Sequence, residues 1–266
     1  MKKVLTIAGS DSSGGAGIQA DLKTMSALGV YGMSVITAVT AQNTTGVQDV
    51  MDVSTEIVEA QIRAVFDDIE VDAVKIGMVS NSSTIAVIQR LLVEYKAKNI
   101  VLDPVMVSKS GYFLLKQEAT EAIKDIVKIS DIVTPNIPEA EVLAGFKIES
   151  RENMEKAAFK IKQLGAKSVL VKGGHRSNDA DDILLFHHSI SNLKGIRINT
   201  KNTHGTGCTL SSAVASYLAK GCSIYESVIL SKEYITKAIE NSFDLGRGVG
   251  PVGHFVEIYK KAGIDF

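Results

Sequence analysis

The chain has 266 residues, with 29 basic and 30 acidic side chains and a formal net charge of −1 at pH 7. This balance gives no overall field that would attract nucleic acid or an anionic membrane, so we expect neither partner. No apolar run approaches the length of a membrane span. Two cysteines are too few for a disulfide framework and favour a reduced, cytoplasmic setting. The length suits one α/β core, so we predict a single domain over residues 1–266.

The first segment of the chain has the pattern of a strand, a glycine-rich loop and a helix. Residues 4–8 are apolar, residues 9–17 contain four glycines, and residues 18–28 have apolar side chains at helical spacing. The loop has neither the dinucleotide-binding spacing nor a Walker lysine, so it predicts only a close approach of backbone to a ligand. Asp21 lies near the start of the helix, where an acid either complements the helix dipole or faces a ligand.

Two further predicted strands end in side chains suited to an organic ring. Gln42 follows the apolar run 33–41, and its amide can donate and accept, as a heterocycle edge with both kinds of group requires. A turn-capping role is the alternative, although it suits Asn43 better. Met78 ends the strand predicted over residues 73–78, where it either contacts a ligand or belongs to the core.

Polar and charged side chains also lie at the ends of three later strands. Asp103 precedes a proline, which favours extended backbone and places the carboxylate at the ligand-binding edge of an α/β sheet. Asn136 and Glu139 stand at the mouth of a helix, and such oxygen ligands suit a magnesium ion bound partly through phosphates. Glu139 is equally well explained as a first-turn acid. Lys172 would contact a phosphate as a point charge.

The turn over residues 202–210 is the segment around which the predicted site is organised. Gly205 and Gly207 flank Thr206, and the apolar pattern of a helix runs from Thr209. The unsatisfied N–H groups at a helix start form a site for phosphate or a developing oxyanion. Cys208 is either a presented thiol with a lowered pKa or a small buried apolar residue, and both interpretations stay open.

Strands and helices alternate along the chain, which predicts a mainly parallel sheet with helices on both faces. Residues 183–188 and 195–199 predict an antiparallel pair that carries His187 and His188 on its surface. Loops at 106–113 and 176–182 are candidate lids. The oxygen ligands, the lysine and the glycine turn together favour phosphoryl transfer, because that reaction needs positioning and charge neutralisation.

Six motifs occur in order from Val4 to about Gly253: GSDSSGGAGIQADLK at 9–23, KIGM at 75–78, LDPVM at 102–106, TPNIPEA at 134–140, KGGH at 172–175 and THGTGCT at 203–209. Together they resemble the hydroxymethylpyrimidine/phosphomethylpyrimidine kinases of thiamine biosynthesis, in the ribokinase-like superfamily. The resemblance implies a three-layer sandwich and a homodimer. It also implies a kinase, dependent on ATP and Mg²⁺, that phosphorylates a small molecule, 4-amino-5-hydroxymethyl-2-methylpyrimidine, and then its monophosphate.

The resemblance also implies roles for individual residues. Cys208 would take the place of the base-like aspartate of ribokinase relatives, within an anion hole formed by Gly205, Thr206, Gly207 and Cys208. Lys172 would contact the ATP phosphates, Thr203 and Asn136 would lie in the nucleotide region, and Asp103 and Glu139 would hold magnesium. The pyrimidine pocket would be lined by Asp21, Gln42, Met78 and Val105.

Three other functions stay open at this stage. Pyridoxal kinases of the same family share the Gly-Thr/Ala-Gly-Cys turn and differ mainly in the substrate pocket. Gln42 favours the aminopyrimidine, because an amide pairs with both a ring nitrogen and an exocyclic amine. A nucleotide-binding regulator without catalysis, and a thiol-dependent hydrolase built on Cys208 and His204, fit the motifs less well.

Overall fold

The structure is a computed structural model that describes residues 1–106, 119–174 and 180–264. Most of each of the two predicted lid loops, at residues 106–113 and 176–182, lies outside the described residues. Across the three described ranges, no helix is long and apolar enough to span a membrane.

Nine strands of the described residues form one sheet, in the order β3-β2-β1-β4-β5-β6-β7-β8-β9. The six neighbouring strands β2, β1, β4, β5, β6 and β7 are parallel to one another. Strand β3 is antiparallel to β2 at one edge of the sheet, and at the other edge β8 is antiparallel to β7 and β9 is antiparallel to β8. The strands are β1 (Lys3–Asp11), β2 (Tyr31–Asn43), β3 (Gly46–Asp52), β4 (Ala73–Ile76), β5 (Ile100–Leu102), β6 (Ile132–Val133), β7 (Val169–Val171), β8 (Asp182–Phe186) and β9 (Ser189–Leu193).

The helices cover both faces of this sheet. They are α1 (Gly17–Ala27), α2 (Thr55–Phe66), α3 (Ser82–Glu94), α4 (Ile123–Ile129), α5 (Ile137–Ala144), α6 (Arg151–Gln163), α7 (Thr206–Ala219), α8 (Ile224–Glu240) and α9 (Val256–Ala262). One apolar core joins the sheet to α2 through α6, and a second core joins it to α1, α7 and α8. The predicted three-layer α/β sandwich is confirmed.

Successive side chains of strand β4 lie alternately in the two cores. Val74 and Ile76 belong to the core beneath α2 through α6, and Ala73 belongs to the opposite core. Because side chains alternate along a strand, Lys75 lies on the same face as Ala73. A lysine is thereby placed inside the layer that contains α1 and α7, where it is completely buried.

The predicted antiparallel pair near residue 185 is present, but its second strand was wrongly placed at residues 195–199. Strand β9 instead begins at Ser189, which pairs with Phe186. The connection is therefore only His187 and His188, and His187 has a left-handed backbone with φ of 48°. Such a two-residue turn returns the chain at once, so the pairing forms immediately after the turn.

Candidate active site

A cavity of about 420 Å³ opens at the carboxyl ends of the parallel strands. This is the edge at which open α/β sheets bind ligands, because the loops that follow neighbouring strands converge there. Among the described residues its wall is formed by Gly9, Ser10, Asp11, Ala16, Gly17, Thr40, Gln42, Met78, Asp103, Val105, Met106, Asn136, Pro138, Glu139, Val142, Lys172 and residues 204–208.

The cavity contains every sequence-predicted site residue except Asp21 and Thr203. Thr203 lies one residue before the cavity wall, and its carbonyl accepts a hydrogen bond from the Thr206 hydroxyl at 2.7 Å. That bond helps to fix the turn that enters α7. The expected contact of Thr203 with nucleotide stays a prediction.

Helix α7 presents its N-terminus to the cavity. Its first residue is Thr206, three residues before the predicted start, and Gly205 is the N-cap, with φ of 77° and no capping side chain. By contrast, α5 and α8 both begin with capping boxes that occupy their first N–H groups. The first-turn N–H groups of α7 have no intrahelical acceptor, so the cavity wall at 206–208 is suited to an anion.

Two glycines allow the charged side chains and the backbone to approach this helix start. A Cβ at Gly205 would lie 1.8 Å from the carbonyl oxygen of Gly15, so the two glycine-rich segments touch backbone to backbone. A Cβ at Gly207 would lie 3.3 Å from Asp103 Oδ2 and 3.4 Å from Lys172 Nζ. The Asp103 carboxylate and the Lys172 ammonium therefore lie directly against the first turn of α7.

Of the two interpretations left open for Cys208, the one with a lowered thiol pKa is wrong. Cys208 lies in the first turn of α7, yet burial raises the pKa of its thiol to about 11, and nearby Asp21 and Asp103 add to the rise. Lys75 and the Gly17 N–H lower the pKa but do not compensate for the effect of burial. At neutral pH Cys208 is a neutral thiol in the cavity wall.

Three charged groups meet on the nucleotide side of the expected site. Lys172 Nζ donates to Asp103 Oδ1 at 2.9 Å, and both side chains are largely buried. The Lys172 pKa is raised: burial alone would lower it, but the charges of Asp103 and Glu139 outweigh that effect. The backbone bond from Lys172 N–H to the Pro135 carbonyl, at 2.8 Å, connects this lysine to the residues just before α5.

Glu139 is a first-turn acid of α5 and also faces the cavity, while its expected role as a magnesium ligand stays a prediction. It completes the capping box of α5, in which its Oε2 accepts from the Asn136 N–H at 2.8 Å and the Asn136 side chain accepts from the Glu139 N–H at 2.9 Å. It also lines the cavity beside Asp103 and Lys172. Burial raises its pKa to about 7; Lys172 lowers it and Asp103 raises it further.

Replacing Glu139 by Gln is expected to flatten the pH dependence of stability. A carboxyl group whose pKa rises from 4.5 to about 7 on folding stabilises the fold fully below its unfolded pKa, and that contribution is lost as the pH rises through about 7. The wild type should lose on the order of 2–3 kcal/mol between about pH 5 and pH 8 relative to the variant. Urea unfolding at several pH values measures this, and parallel curves for the two proteins would contradict it. Gln at this position retains the capping box.

Another part of the cavity wall contains the residues expected to contact a pyrimidine. Gln42, Met78 and Val105 all line it. The Gln42 amide lies 3.1 Å from Thr40 Oγ1 and 3.5 Å from His204 Nε2. Met78 packs against the first glycine loop, since a Cβ at Gly9 would lie 3.0 Å from its sulfur. This wall therefore combines an apolar surface with one amide.

Asp21 lies beneath the cavity instead of in its wall. Its carboxylate is completely buried and accepts hydrogen bonds from Thr6 Oγ1 and Ser212 Oγ, both at 2.6 Å, and from Lys75 Nζ at 2.9 Å. The three residues that donate these hydrogen bonds lie on β1, α7 and β4, respectively. The location differs from the expected one because the carboxylate is already used to join three elements of the core.

The sequence interpretation missed Asp11 and Lys75 as site residues and considered His204 only as the base of a hydrolase. His204 Nε2 lies 2.8 Å from Asp11 Oδ2, so this histidine is bound to the first glycine loop. The sequence did contain a signal for this pair: Asp11 is an acceptor and His204 a donor, and each lies in a glycine-rich motif predicted at the same edge of the sheet. For Lys75 the available signals were its place in the KIGM motif and a charged side chain inside an apolar strand.

The family model for phosphomethylpyrimidine kinase matches residues 11–253. The chain belongs to the phosphomethylpyrimidine kinase family. It is 51% identical over 261 residues to a hydroxymethylpyrimidine/phosphomethylpyrimidine kinase of Rhizobium meliloti, covering 96% of this chain and 98% of that one. It is also 50% identical over 255 residues to a thiamine biosynthesis bifunctional protein of Geobacter sulfurreducens, covering 95% of this chain but only 52% of that protein. The chain thus spans about half of the bifunctional relative.

Solved structures show the same family and a related activity. A phosphomethylpyrimidine kinase from Clostridium difficile superposes with a TM-score of 0.82 at 55% identity, over 90% of this chain and 100% of that one. A Bacillus subtilis pyridoxal kinase, solved as an ADP complex, superposes with a TM-score of 0.89 at 41% identity, over 96% and 97% of the two chains. Overall shape alone does not separate the two activities.

Proposed function

We propose that this chain is an ATP-dependent kinase of thiamine biosynthesis. It phosphorylates 4-amino-5-hydroxymethyl-2-methylpyrimidine and then its monophosphate, giving the diphosphate. The observation that carries the proposal is one cavity with two chemically different walls: an amide and apolar side chains at Gln42, Met78 and Val105, and an anion site at 206–208 beside Lys172. The membership in the phosphomethylpyrimidine kinase family supports the same conclusion.

In the reaction, the hydroxymethyl oxygen forms a bond to the γ-phosphorus of ATP, the bond to the leaving ADP oxygen breaks, and the alcohol proton passes to an oxygen of the transferred phosphoryl group. Phosphoryl transfer of this kind requires positioning and charge stabilisation more than covalent help. The N–H groups at residues 206–208 and the Lys172 ammonium supply fixed positive charge where negative charge develops. Cys208, a thiol with a pKa of about 11, is a poor acceptor for the alcohol proton, so its role is to position the alcohol.

Magnesium fits the carboxylates at this site. Asp103 and Glu139 both face the cavity beside Lys172, and the described ranges contain no cluster of three or more His, Cys, Asp or Glu that would hold a metal ion alone. Mg²⁺ typically takes one or two carboxylates and completes its shell with phosphates and water. When bound it would neutralise phosphate charge, with Asp103 and Glu139 as its protein ligands and Asn136 near the nucleotide.

The assembly and the setting of the enzyme are also proposed on family resemblance. We expect a homodimer acting in the cytoplasm on a small-molecule substrate. Sedimentation equilibrium of the purified chain would determine its oligomeric state, and a monomer at all accessible concentrations would contradict the first of these proposals.

The deciding experiment measures ATP turnover with Mg²⁺ on three acceptors side by side: the hydroxymethylpyrimidine, its monophosphate and pyridoxal. Products are identified by mass. Formation of the pyrimidine diphosphate is the expected result. Exclusive turnover of pyridoxal would assign the chain to vitamin B6 salvage, and ATP binding without ADP release would favour a regulator that has lost catalysis.

Replacing Gln42 by Met is expected to weaken pyrimidine turnover far more than pyridoxal turnover. The substitution leaves the exocyclic amine and ring nitrogen of the pyrimidine without partners, and losing two such bonds lowers kcat/KM by about 100-fold. The measurement compares kcat/KM for both acceptors in wild type and variant. An equal loss on both would mean that Gln42 does not discriminate between them.

A further inference from the structure

A chain of polar contacts runs along the cavity wall from Asp11 through His204 to Gln42. Asp11 Oδ2 and His204 Nε2 are 2.8 Å apart, and the Gln42 amide nitrogen is placed 3.5 Å from the same ring nitrogen. His204 is 8% exposed, so water does not substitute readily for either contact. The position of the proton on His204 Nε2 therefore decides what Gln42 can do.

Asp11 is an acceptor only. Its carboxylate receives five hydrogen bonds, from Ser13 N–H and hydroxyl, Gly15 N–H, Ala16 N–H and His204. Burial raises its pKa, but the bonds from His204 and Ser13 outweigh that effect and hold the pKa at about 2. The proton shared with His204 therefore lies on Nε2, whether the imidazole is neutral or charged.

A donor at His204 Nε2 cannot accept from an amide N–H. The two ends of a primary amide have nearly the same shape, so hydrogen-bonding partners decide which end is the oxygen. Thr40 donates its single hydroxyl hydrogen to the Ser10 carbonyl at 2.9 Å, so the Gln42 oxygen placed 3.1 Å from Thr40 Oγ1 finds no hydrogen there, whereas an amide N–H in that position would find a lone pair. Turning the amide over places its nitrogen against Thr40 and its oxygen 3.5 Å from His204 Nε2, where the oxygen is a longer, secondary acceptor of the hydrogen that Nε2 donates to Asp11.

We propose that His204, held by Asp11, is a positioning residue that fixes the orientation of the Gln42 amide and thereby the ring edge that the cavity accepts. The proposal rests on the proposed function for the identity of the ligand. An amide has two N–H groups and two lone pairs; Thr40 takes one N–H, and one lone pair faces the Nε2 hydrogen that His204 shares with Asp11. One donor and one acceptor remain, which matches a ring nitrogen beside an exocyclic amine. Pyridoxal has no amine beside its ring nitrogen.

The test compares His204→Phe with His204→Gln, in wild-type and Gln42→Met backgrounds. Phe retains a ring against Gly15 but removes the donor, whereas Gln restores an N–H. His204→Phe should raise KM and the calorimetric Kd for the hydroxymethylpyrimidine by about tenfold, with a smaller effect on kcat and on pyridoxal binding. His204→Gln should recover most of this loss. In the Gln42→Met background, His204→Phe should have no further effect on pyrimidine binding.

His254 provides the matched control, because it is similarly buried and bonds Thr209 Oγ1 at 3.0 Å away from Gln42. His254→Phe should leave the preference between the two ligands unchanged. Equal losses on both ligands for His204→Phe, or a loss of the same size in the Gln42→Met background, would overturn the proposal.

A second measurement needs no substrate. Long-range ¹⁵N–¹H NMR of the ligand-free protein should find His204 protonated at Nε2, and an unprotonated Nε2 would overturn the proposal. If Nε2 is protonated but the pyrimidine is neither bound nor phosphorylated, the proposed function fails while the amide orientation stands. The two failures are therefore distinguishable.

Discussion

Replacing Lys75 by Met is expected to lower the free energy of unfolding by about 3–5 kcal/mol. Lys75 and Asp21 are both completely buried and 2.9 Å apart. Burial alone would lower the Lys75 pKa, but the Asp21 carboxylate raises it above its usual value. Met fills most of the lysine volume, so the loss arises from a buried carboxylate left with only the Thr6 and Ser212 hydroxyls. Urea unfolding at neutral pH measures it.

Two controls separate this effect from the general loss of a lysine. Lys147→Met removes an ion pair with Glu141 from a lysine whose side chain is 81% exposed, and should cost less than about 1 kcal/mol. Asp21→Asn added to Lys75→Met should recover part of the loss by removing the uncompensated charge. Equal effects for Lys75→Met and Lys147→Met would contradict the interpretation.

Replacing Gly205 by Ala is expected to reduce kcat/KM on the order of 100- to 1000-fold. The residue has φ of 77°, and an added Cβ would lie 1.8 Å from the Gly15 carbonyl oxygen. One of the two backbones must move by more than an ångström, which displaces the N–H groups of α7 from the cavity. Steady-state kinetics on the preferred acceptor measures the loss, and circular dichroism verifies that the variant is folded.

Gly221→Ala is the matched control for this substitution. Gly221 follows the other end of α7, has φ of 93°, and a Cβ there would meet nothing within 4 Å. Both variants carry the cost of a left-handed alanine, about 1 kcal/mol, but only Gly205→Ala also displaces the cavity wall. Gly221→Ala should therefore retain near wild-type kinetics with a small loss of stability. Similar kinetics for the two variants would show that the geometry of the Gly205 turn is not critical.

The predictions for Lys75 and Gly205 concern two parts of the same site, the buried network beneath the cavity and the turn in the cavity wall. The Asp21 network joins β1, β4 and α7, and Ser212 lies one helical turn after Cys208, so the network fixes where the first turn of α7 lies. Gly205 and Gly15 then set how closely that turn approaches the first glycine loop. The anion site depends on both.

Motif spacing and periodicity were enough to predict the α/β fold and most of the cavity wall. Alternating strands and helices predict a parallel sheet, and such a sheet brings residues after neighbouring strands to one edge. Gln42, Asp103 and Lys172 could therefore be predicted to lie together. The single-domain assignment and the chemical roles of these residues stay predictions.

Other features depended on packing that no local pattern contains. The pKa of Cys208 rises because burial outweighs the opposing effects of Lys75 and the Gly17 N–H, and burial is known only once the layers are assembled. Asp21 lies under the cavity because Lys75 from β4 and Ser212 from α7 reach its carboxylate. The contact of His204 with Asp11 joins residues 193 positions apart.

The sequence by itself determined the family, the alternation of strands and helices and the edge of the sheet where the ligand site forms, because these follow from short-range periodicity and from motifs of fixed spacing. Only the tertiary structure decided which polar residues face the cavity and which support it from below. That distinction depends on distances between side chains far apart in the chain, and on the solvent that each loses when the sheet and both helix layers pack together.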